Sequence, residues 1–533
     1  MANVVSVNSD PLAHRQSTGS TTTTVGESPT QEDINEDLEK SNTRVSAEPY
    51  TIFSNSQLVL IVIITSYAGM LSSLSANIYF PALTVIQKDL NTTTEMVNLT
   101  VTTYMIFQGL SPAFWGSLAD VWGRRPVYMI TVFIYAGACI GLALAPVYWL
   151  LLVLRMLQSF GSSSTIAIGA GVIGDIAEPS RRGMFFGMYT TGQFLGPIIG
   201  PVLGGIISQE LSWRIIDDEP YTVVRWNFWL LLIIGATVFF TVFFFVPETL
   251  RSLVGNGSGY ANPTPSQWIK KRLQSRDNRT AEMTTATDQR SRFLQVPNVT
   301  RPFRYFLQLD VTLALLYNAI HYTVFYCYLT STAQLFEKHY HLSELQVGLC
   351  FLCQGVGCVI GSLVEGKLLD RDFRITAETS GVPYKKGAGQ IPLEFPIYRA
   401  RVRTLWIGTG LMQIVTFIYG WCIQISAPLA VALILQLIAG YALTSVMTIF
   451  QTLLIDLFPG KGASITASNN LARCILGAVA TVVIDPGIQG VGVGWMFTIL
   501  GFILMATNSM LYFLLKYGPR WRERRAEKEL LEN

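Results

Sequence analysis

The chain has 533 residues, of which 50% are hydrophobic and only 14% are charged. Soluble domains carry about 25% charged residues, so this composition excludes an ordinary soluble domain and indicates that much of the surface faces lipid. The net charge of +3 at pH 7 is too small to indicate nucleic-acid binding, and the seven cysteines provide no complete metal-ligand pattern.

A polar segment precedes the first apolar stretch. Residues 1–54 are rich in Ser, Thr, Asp and Glu and lack the apolar core of a secretory signal. Low hydrophobicity of this kind predicts a disordered tail. We predict that this tail is cytoplasmic and that the first span acts as an uncleaved insertion signal.

Twelve apolar stretches follow, and each is long enough for a helix to cross a hydrocarbon core of about 30 Å. Helices are expected because the backbone polar groups of a span find no water in lipid. The stretches lie at about residues 57–80, 96–119, 126–146, 148–175, 183–208, 226–247, 307–335, 344–369, 403–424, 427–457, 463–484 and 490–516. The sequence thus predicts an all-α integral membrane protein with twelve transmembrane helices.

Polar segments divide the spans into two six-helix halves. The predicted divisions are an N-terminal half at 55–247, a linker at 248–306, a C-terminal half at 307–516 with a polar insert at 370–402, and a tail at 517–533. Of the 38 Lys and Arg residues, all but six lie in the linker, the insert, the two terminal tails or the short loops on the same side of the membrane. This distribution predicts that this side is cytoplasmic. Asn91 lies in a sequon of the first outside loop and is a predicted glycosylation site.

The loop after span two carries a dense motif. It contains Gly116, Asp120, Gly123, Arg124 and Arg125. Glycines let helices approach closely and let the chain turn sharply. An aspartate beside arginines can form charge-assisted bonds that break when two parts of the molecule move apart. The motif therefore predicts a conformational latch, and a generic basic loop is the alternative.

Acidic residues recur at the same ends of other spans. Asp175 ends span four and Asp456 ends span ten, whereas span eight offers both Glu365 and Asp370. Which of these two corresponds to Asp120 stays open at this point. We include all of these acids in the predicted latch. The repeat of the motif six spans later predicts two parallel, pseudo-symmetric halves around a central site.

Two arginines lie inside predicted spans. Arg155 in span four lies roughly 10 Å from the outer end at about 1.5 Å per residue, and a charge at that depth indicates function by default. With Gln158 beside it, Arg155 could attract an anionic substrate group or act on a carboxyl group during proton exchange. A structural arginine bonded to backbone carbonyls is the alternative. Arg473 in span eleven, beside Asn469 and Asn470, has the same two interpretations.

Span five carries a pattern of glycines and prolines. The pattern consists of Gly192, Gly196, Pro197, Gly200, Pro201, Gly204 and Gly205. Small residues three or four apart form one smooth helical face, and the prolines remove backbone donors and bend the helix. We predict that this span packs tightly against a neighbour that slides or tilts, and tight packing alone is the alternative.

Span seven carries a polar and aromatic face that includes His321, Tyr322 and Tyr326. Such a face suits a cavity for flat, amphipathic or cationic molecules, and ordinary interhelical packing is the alternative. His321 could carry a proton or could simply be hydrogen-bonded. Asn77 in span one is a further polar candidate for proton coupling or substrate binding.

These motifs resemble those of the major facilitator superfamily, and the span-five pattern is similar to that of its drug:proton antiporters with twelve spans. Three further segments resemble the fungal quinidine-resistance type, namely Asn77 to Leu83, Pro247 to Arg251, and Asn469 to Cys474. The resemblance implies a major facilitator fold, a charge relay of Asp120, Arg124 and Asp175, and a role for Arg155 in proton coupling. It also implies that Gly192 to Gly205 form the antiporter motif.

Residues and resemblance together predict proton-coupled efflux of small organic molecules, drugs or toxic compounds by alternating access. We also predict a monomer in the cell membrane whose partners are the bilayer, the substrate and protons. No cofactor, metal or nucleic acid is expected. The nearest alternative is export of an endogenous metabolite such as an organic acid or a toxin, and a membrane receptor that transports nothing is a remote one. An enzyme is not expected, because no nucleophile motif or phosphate loop occurs in a suitable context.

Overall fold

The computed structural model of the chain describes residues 50–79, 86, 92–210, 221–274, 300–342, 344–381 and 391–532. Within these residues the regular secondary structure is entirely helical. The predicted all-α class is therefore confirmed. The predicted glycosylation site Asn91 and most of the predicted N-terminal tail lie outside the described residues.

Twelve long helices follow one another in the described part of the chain, and we number them in chain order. They are α1 (Asn55–Asn77), α2 (Thr94–Trp122), α3 (Arg124–Ala143), α4 (Tyr148–Ser162 continued by Ser164–Ile176), α5 (Arg182–Glu210), α6 (Tyr221–Phe245), α7 (Leu309–Tyr340), α8 (Glu344–Ser380), α9 (Leu405–Gln424), α10 (Leu429–Leu457), α11 (Gly462–Val491) and α12 (Val493–Glu532). The predicted number and order of the spans are confirmed. Short helices occupy the linker and the insert at Arg251–Val254, Pro265–Gln274, Arg301–Arg304 and Ile397–Val402.

Ten helices in the described part of the chain are long and apolar enough to cross a membrane by length and composition alone. The other two long helices are α2 with 29 residues and α7 with 32 residues. Both are long enough to span, but both carry polar residues such as Gln108 in α2 and Asn318 and His321 in α7. These polar side chains are buried against neighbouring helices, so they do not face lipid.

Local sequence sets several helix boundaries. Ser54 caps α1, because its hydroxyl accepts from the backbone N–H of Gln57 while the Gln57 side chain accepts from the backbone N–H of Ser54. The Thr93 side chain accepts from the backbone N–H of Met96 at the start of α2. α2 ends at Gly123, whose φ of 111° lies in the region that favours glycine.

The two halves pack against each other through two helix pairs. α2 of the N-terminal half packs against α11 of the C-terminal half, and α5 packs against α8. Within each half, α1 packs on α5 and α7 packs on α11. The arrangement is pseudo-symmetric, since α5 and α11 are equivalent spans six apart. α2 and α8 terminate at the same end of the bundle, where the linker, the insert and the C-terminal part of α12 also lie. We call it the basic end, because these segments carry most of the Lys and Arg residues.

Three polar segments are more ordered than their composition predicts. α8 continues beyond its predicted end at 369 to Ser380, and α12 continues beyond 516 to Glu532. The extension of α12 packs on the insert, since the Arg522 guanidinium donates to backbone carbonyls that include that of Phe395, at 3.1 Å. Tyr50, in the predicted disordered tail, is buried, and its ring lies 3.5 Å from the guanidinium carbon of Arg251. Tertiary contacts order these segments, and local hydrophobicity does not report such contacts.

Candidate functional site

A buried charge cluster, which we call the N cluster, lies at the basic end of the N-terminal half and consists of Asp120, Arg124 and Asp175. The Nε atom of Arg124 donates to Oδ2 of Asp175 at 2.9 Å, and Nη1 donates to Oδ1 of Asp120 at 2.5 Å. Arg124 is fully buried. The turn at Gly123 starts α3 one residue after α2 ends, which places Arg124 four residues after Asp120. The structure thus brings together the three residues that the resemblance grouped as a relay.

The N cluster contacts the other half of the molecule through Asp120. Its Oδ2 atom accepts from the backbone N–H of Ser464 at 3.2 Å and also from the Ser464 hydroxyl. Ser464 lies in the first turn of α11, where backbone N–H groups have no partner within the helix and the helix dipole favours an anion. One turn before Asp120, a Cβ at Gly116 would lie 3.0 Å from the carbonyl oxygen of Ala463. Gly116 therefore allows α2 and α11 to approach closely enough for this contact.

A second buried cluster, the C cluster, consists of Asp456, Arg182 and Arg401. Oδ2 of Asp456, in the last turn of α10, accepts from Nε of Arg401 at 2.7 Å, while Oδ1 accepts from Nη1 of Arg182. Arg182 begins α5, so its ion pair with Asp456 joins the two halves. Arg401 adds a second contact between the halves, because its Nη2 atom donates to the carbonyl oxygen of Pro179 at 2.6 Å.

Asp370 repeats the role of Asp120 in the C-terminal half. Its carboxylate accepts from the backbone N–H groups of Gly183 at 2.8 Å and Met184 at 3.1 Å, in the first turn of α5. A Cβ at Gly366, four residues earlier, would lie 2.7 Å from the carbonyl oxygen of Gly183, which repeats the close approach at Gly116. The register that the sequence left open is therefore the one that matches Asp370 with Asp120.

The structure places Glu365, which we included in the predicted latch, away from the contact between the halves. Its Oε1 accepts from the Thr404 hydroxyl at 2.6 Å and its Oε2 from the Ser445 hydroxyl at 2.7 Å, both within the C-terminal half. Five residues separate Glu365 from Asp370, which corresponds to a rotation of about 140° around a helix with 3.6 residues per turn. Glu365 therefore faces α9 and α10 while Asp370 faces α5.

Arg125, also predicted as a latch residue, likewise stays within its own half. Its guanidinium donates to the carbonyl oxygens of Pro263 at 2.7 Å and Phe243 at 2.8 Å. Next to it, Oε1 of Glu248 accepts from the backbone N–H of Arg124 at 2.8 Å. A Cβ at Gly123 would lie 2.3 Å from Oε2 of Glu248, so Gly123 leaves room for this carboxylate. These contacts attach the linker to the start of α3.

Sequence reasoning did not assign Arg182 and Arg401 of the C cluster, or Ser464, the partner of the N cluster in the other half. A signal existed for Arg401, because it stands just before span nine as Arg124 stands at the start of span three. Arg182 follows the end of span four, but its partner Asp456 is 274 positions away. No local pattern distinguishes Ser464 from the many other serines of the chain.

A cavity of about 30 Å³ lies between the halves. Pockets that bind small molecules measure about 300–1,000 Å³, so this cavity is too small for an organic substrate in this conformation. The lining comes from α1, α2, α4, α5, α7 and α11 and includes Ser73, Gln108, Ile166, Gln193, Phe194, Pro197, Tyr322, Phe325, Tyr326, Leu329, Asn470, Arg473 and Cys474. The position and the lining from both halves make it the candidate substrate site.

Arg473 is the one charged side chain in the described lining of this cavity. Its Nη2 atom donates to Oδ1 of Asn470 at 2.8 Å, and its guanidinium carbon lies 5.1 Å from the centre of the Tyr322 ring. The Asn470 amide donates to the carbonyl oxygen of Gln108 at 2.6 Å, across the two halves. Tyr322 and Tyr326 have ring centres 5.1 Å apart. The aromatic and polar face predicted for span seven therefore meets the predicted arginine of span eleven.

The structure places Arg155 inside the N-terminal half and outside the described lining of the cavity. Its guanidinium carbon lies 3.9 Å and 4.3 Å from the ring centres of Tyr79 and Tyr104, and Nη1 donates to Oε1 of Gln158 at 2.8 Å. Nη1 also donates to the carbonyl oxygen of Ser75 at 3.3 Å. These contacts correspond to the structural alternative that the sequence left open for Arg155.

Three other predicted polar residues also lie outside the described lining. The Asn77 amide donates to the Ser73 carbonyl oxygen at 2.6 Å. His321 has Nδ1 at 2.9 Å from the Tyr317 carbonyl oxygen and stacks on the Tyr317 ring at 4.4 Å. Asn469 accepts from the Asn318 amide at 2.8 Å and belongs to a hydrogen-bond chain inside the C-terminal half. These contacts fix helix positions within each half.

The glycines of span five contact α1. Cβ atoms at Gly192 and Gly196 would lie 2.2 Å from the carbonyl oxygen of Ser66 and from the hydroxyl of Ser73, and one at Gly200 would lie 2.9 Å from Cβ of Asn77. Pro197 lines the cavity and Pro201 lies within the same helix, whereas a Cβ at Gly205 would meet nothing within 4 Å. The predicted smooth face thus packs on α1 within its own half.

Comparisons with known proteins agree with this architecture. The family model described as Major Facilitator Superfamily matches residues 65–481. Among curated proteins, the chain is 37% identical to a fungal protein named "MFS-type transporter phiD", over 93% of this chain and 73% of that protein. It is 36% identical to "Citrate exporter 1" of Aspergillus niger, over 90% of each chain. It is 33% identical to "MFS antiporter QDR2" of Candida albicans, over 90% of this chain and 92% of that one.

Among solved structures, the chain is similar to the proton:xylose symporter XylE bound to a bromodeoxyglucose. The TM-score is 0.62 with 16% sequence identity, and the match covers 87% of this chain and 96% of that chain. At this identity the likeness shows the fold alone. The curated relatives named above are transporters, which confirms the prediction of a transporter rather than an enzyme.

Proposed function

The chain belongs to the Major Facilitator Superfamily, and we propose that it exports small organic molecules across the cell membrane by alternating access, in exchange for protons. The observation that supports this most directly is the closed basic end. Two charge clusters join the halves there, beneath a small cavity lined by both halves. The distribution of Lys and Arg supports a cytoplasmic location for this end.

The proposed cycle breaks a limited set of contacts between the halves. Opening the basic end separates Asp120 from Ser464, and Asp370 from the start of α5. It also separates Arg182 from Asp456 and Arg401 from the Pro179 carbonyl oxygen. The bonds of Arg124 to Asp120 and Asp175 lie within the N-terminal half and can remain formed. Each half can therefore move as a rigid body while the cavity enlarges to admit a substrate.

Glu365 is the group that we propose to bind the coupling proton. It is buried, and its described hydrogen bonds come from two neutral hydroxyls, those of Thr404 and Ser445. A buried carboxylate without a paired cation is costly, and protonation removes that cost. Asp372 and Tyr441 are the titratable groups that interact with Glu365 electrostatically. The Ser445 hydroxyl that donates to Glu365 lies on α10, the helix that ends beside Asp456, so protonation of Glu365 can act on the C cluster through α10.

Proteoliposomes with an imposed pH gradient test the coupling. We expect uphill substrate movement against the proton flow in the native chain. In Glu365→Gln we expect substrate exchange without a gradient to continue and the response to the gradient to disappear. Glu378→Gln, at an exposed acid of α8, is the matched control and should keep the response. Transport by the native chain that ignores the gradient would refute the coupling.

The cavity favours one substrate class within this proposal, an organic anion. Arg473 supplies a positive charge, and the described lining contains no carboxylate to attract a cation. The aromatic rings of Tyr322 and Tyr326 beside it suit a molecule that also has an apolar part. The similarity to a protein named as a citrate exporter supports the same class. This second candidate corresponds to the metabolite exporter that the sequence left as an alternative.

Efflux of labelled citrate and of the cation ethidium from proteoliposomes separates an anion exporter from a cation exporter. If the substrate is an anion, Arg473→Gln should lower anion efflux about tenfold or more, because a lost charge-assisted hydrogen bond is worth about 1.5–3 kcal/mol. Arg473→Lys should restore part of the efflux. Arg155→Gln removes an equally buried arginine outside the described lining and serves as the control for stability. The anion assignment would be refuted if Arg473→Gln left citrate efflux unchanged and the native chain exported ethidium.

A further inference from the structure

A second cavity, of about 500 Å³, opens at the basic end of the C-terminal half. Its walls come from the extension of α8 at Thr376 and Thr379, from Arg399 and Arg403 of the insert, and from the start of α9 and the side of α12. It shares no described lining residue with the central cavity. Neither the latch nor the proposed transport cycle uses it.

Arg399 and Arg403 are exposed, and within the described part of the chain neither side chain has a hydrogen bond or an ion pair. Arg403 acts electrostatically on Asp372 but lies beyond ion-pair distance from it. Arg401, between them in sequence, is fully engaged with Asp456 and backbone carbonyls. The cavity therefore presents two guanidinium groups that donate no hydrogen bond within the described part of the chain, and such groups are well suited to phosphate oxygens.

The cavity also has apolar lining residues, which lie near the predicted ends of spans nine and twelve. Trp406 is exposed and is the second residue of α9, and Leu515 on α12 lines the same cavity. Tryptophan favours the level of the lipid headgroups. The arginines precede the first turn of the spanning helix and the apolar residues lie within spanning helices. A ligand that fills the cavity therefore has a charged part towards water and an apolar part towards the bilayer.

The hydroxyls in the cavity specify the ligand further. Thr376 and Thr379 donate their hydroxyl protons to the backbone carbonyls of Asp372 at 2.8 Å and Ile375 at 2.7 Å. In this arrangement their oxygens are left as acceptors, which can accept from the hydroxyls of a sugar-like headgroup. The arginines and threonines together match a headgroup that carries both a phosphate and several hydroxyls.

Among the described residues of the N-terminal half, the start of α3 has no equivalent cavity. There the guanidinium of Arg125 donates to carbonyl oxygens of the linker and of α6. The cavity is therefore a feature of the C-terminal half and does not follow from the pseudo-symmetry of the fold.

We propose that this cavity binds the headgroup of phosphatidylinositol from the leaflet at the basic end, with Arg399 and Arg403 on the phosphate and Thr376 and Thr379 on the inositol hydroxyls. The acyl chains leave past Trp406 and Leu515. The proposal does not depend on the substrate or on proton coupling.

Binding to the purified full chain in detergent micelles tests this site, with phosphatidylinositol, phosphatidylserine, phosphatidylcholine and free inositol 1-phosphate as separate ligands, each measured by native mass spectrometry. We expect phosphatidylinositol to bind more tightly than the other three. Arg399→Gln combined with Arg403→Gln should weaken its binding about tenfold or more, since each basic group near an anionic lipid is worth about 1 kcal/mol. Thermal unfolding without added lipid verifies that the variants fold.

Arg371→Gln combined with Arg520→Gln is the matched control, because it removes the same charge from exposed positions outside the described lining. This control should retain binding. If the control variant lost as much binding, general electrostatic attraction would explain the result and the proposed site would be overturned. Equal binding of phosphatidylserine would overturn the role of the threonines, and equal binding of inositol 1-phosphate would overturn the lipid as the ligand.

Discussion

The N cluster places one arginine between two aspartates, whereas the C cluster places one aspartate between two arginines. Their positions are related by the pseudo-symmetry of the halves, since Arg124 corresponds to Arg401 and Asp175 to Asp456. The contact between the halves differs. In the N cluster it is made by hydrogen bonds from the neutral Ser464. In the C cluster it is made by the ion pair of Arg182 with Asp456 and by the hydrogen bond from Arg401 to the Pro179 carbonyl oxygen.

This difference shows that one geometry can join the halves with unequal strength. A buried ion pair is costly to break, because each partner is left as an uncompensated charge. A hydrogen bond from a neutral hydroxyl leaves no bare cation when it is lost. We therefore expect the C cluster to hold the closed state more firmly than the N cluster.

Cys474 provides a readout for this comparison, because it lines the central cavity. In a chain whose other cysteines are replaced by alanine, a membrane-impermeant maleimide applied from the basic end should react with Cys474 only when that end opens. The rate of this reaction measures the open fraction, and thermal unfolding in detergent measures stability.

The largest effect is expected from Asp456→Asn. This change leaves Arg182 and Arg401 buried without an anion, which costs about 3–5 kcal/mol. We expect a clearly lower unfolding temperature and faster labelling of Cys474. The control is Glu378→Gln, at an exposed acid, which should change neither measurement. An unfolding temperature equal to that of the native chain would remove the distinction between the clusters.

A smaller effect is expected from adding one methyl group where the helices of the two halves cross. Gly366→Ala places a Cβ 2.7 Å from the Gly183 carbonyl oxygen, whereas Gly116→Ala places one 3.0 Å from that of Ala463. Overpacking typically costs about 1–3 kcal/mol, so Cys474 should be labelled faster in both variants. The increase in rate should be larger in Gly366→Ala than in Gly116→Ala. Gly410→Ala, where a Cβ would meet nothing within 4 Å, is the control. The reverse order would contradict the packing at these crossings.

The smallest effect is expected from Ser464→Ala. It removes the hydroxyl bond to Asp120 and keeps the backbone N–H bond at 3.2 Å, so the cost should be about 0.5–1.5 kcal/mol. Labelling of Cys474 should rise by less than in Asp456→Asn. Ser509→Ala, at an exposed serine of α12, is the control. A change as large as that of Asp456→Asn would place the stronger contact in the N cluster.

The sequence alone determined the twelve spans, their division into two halves and the family, because apolar length and local motifs are properties of neighbouring residues. The sequence also indicated that Asp120 and Arg124 lie close together, because they are four residues apart across a one-residue turn at Gly123. The contact between span seven and Arg473 was predicted only in part, because the sequence identified the residues but did not show that they lie together.

Tertiary structure alone decided which acid of span eight faces the other half. Glu365 and Asp370 are equally acidic and only five residues apart, and the rotation of α8 against α5 selects Asp370. It also decided that Arg182 meets Asp456 across 274 positions and that Arg155 stays within its own half. Periodicity fixes relations within one or two turns of a helix, whereas contacts between helices depend on how whole surfaces pack.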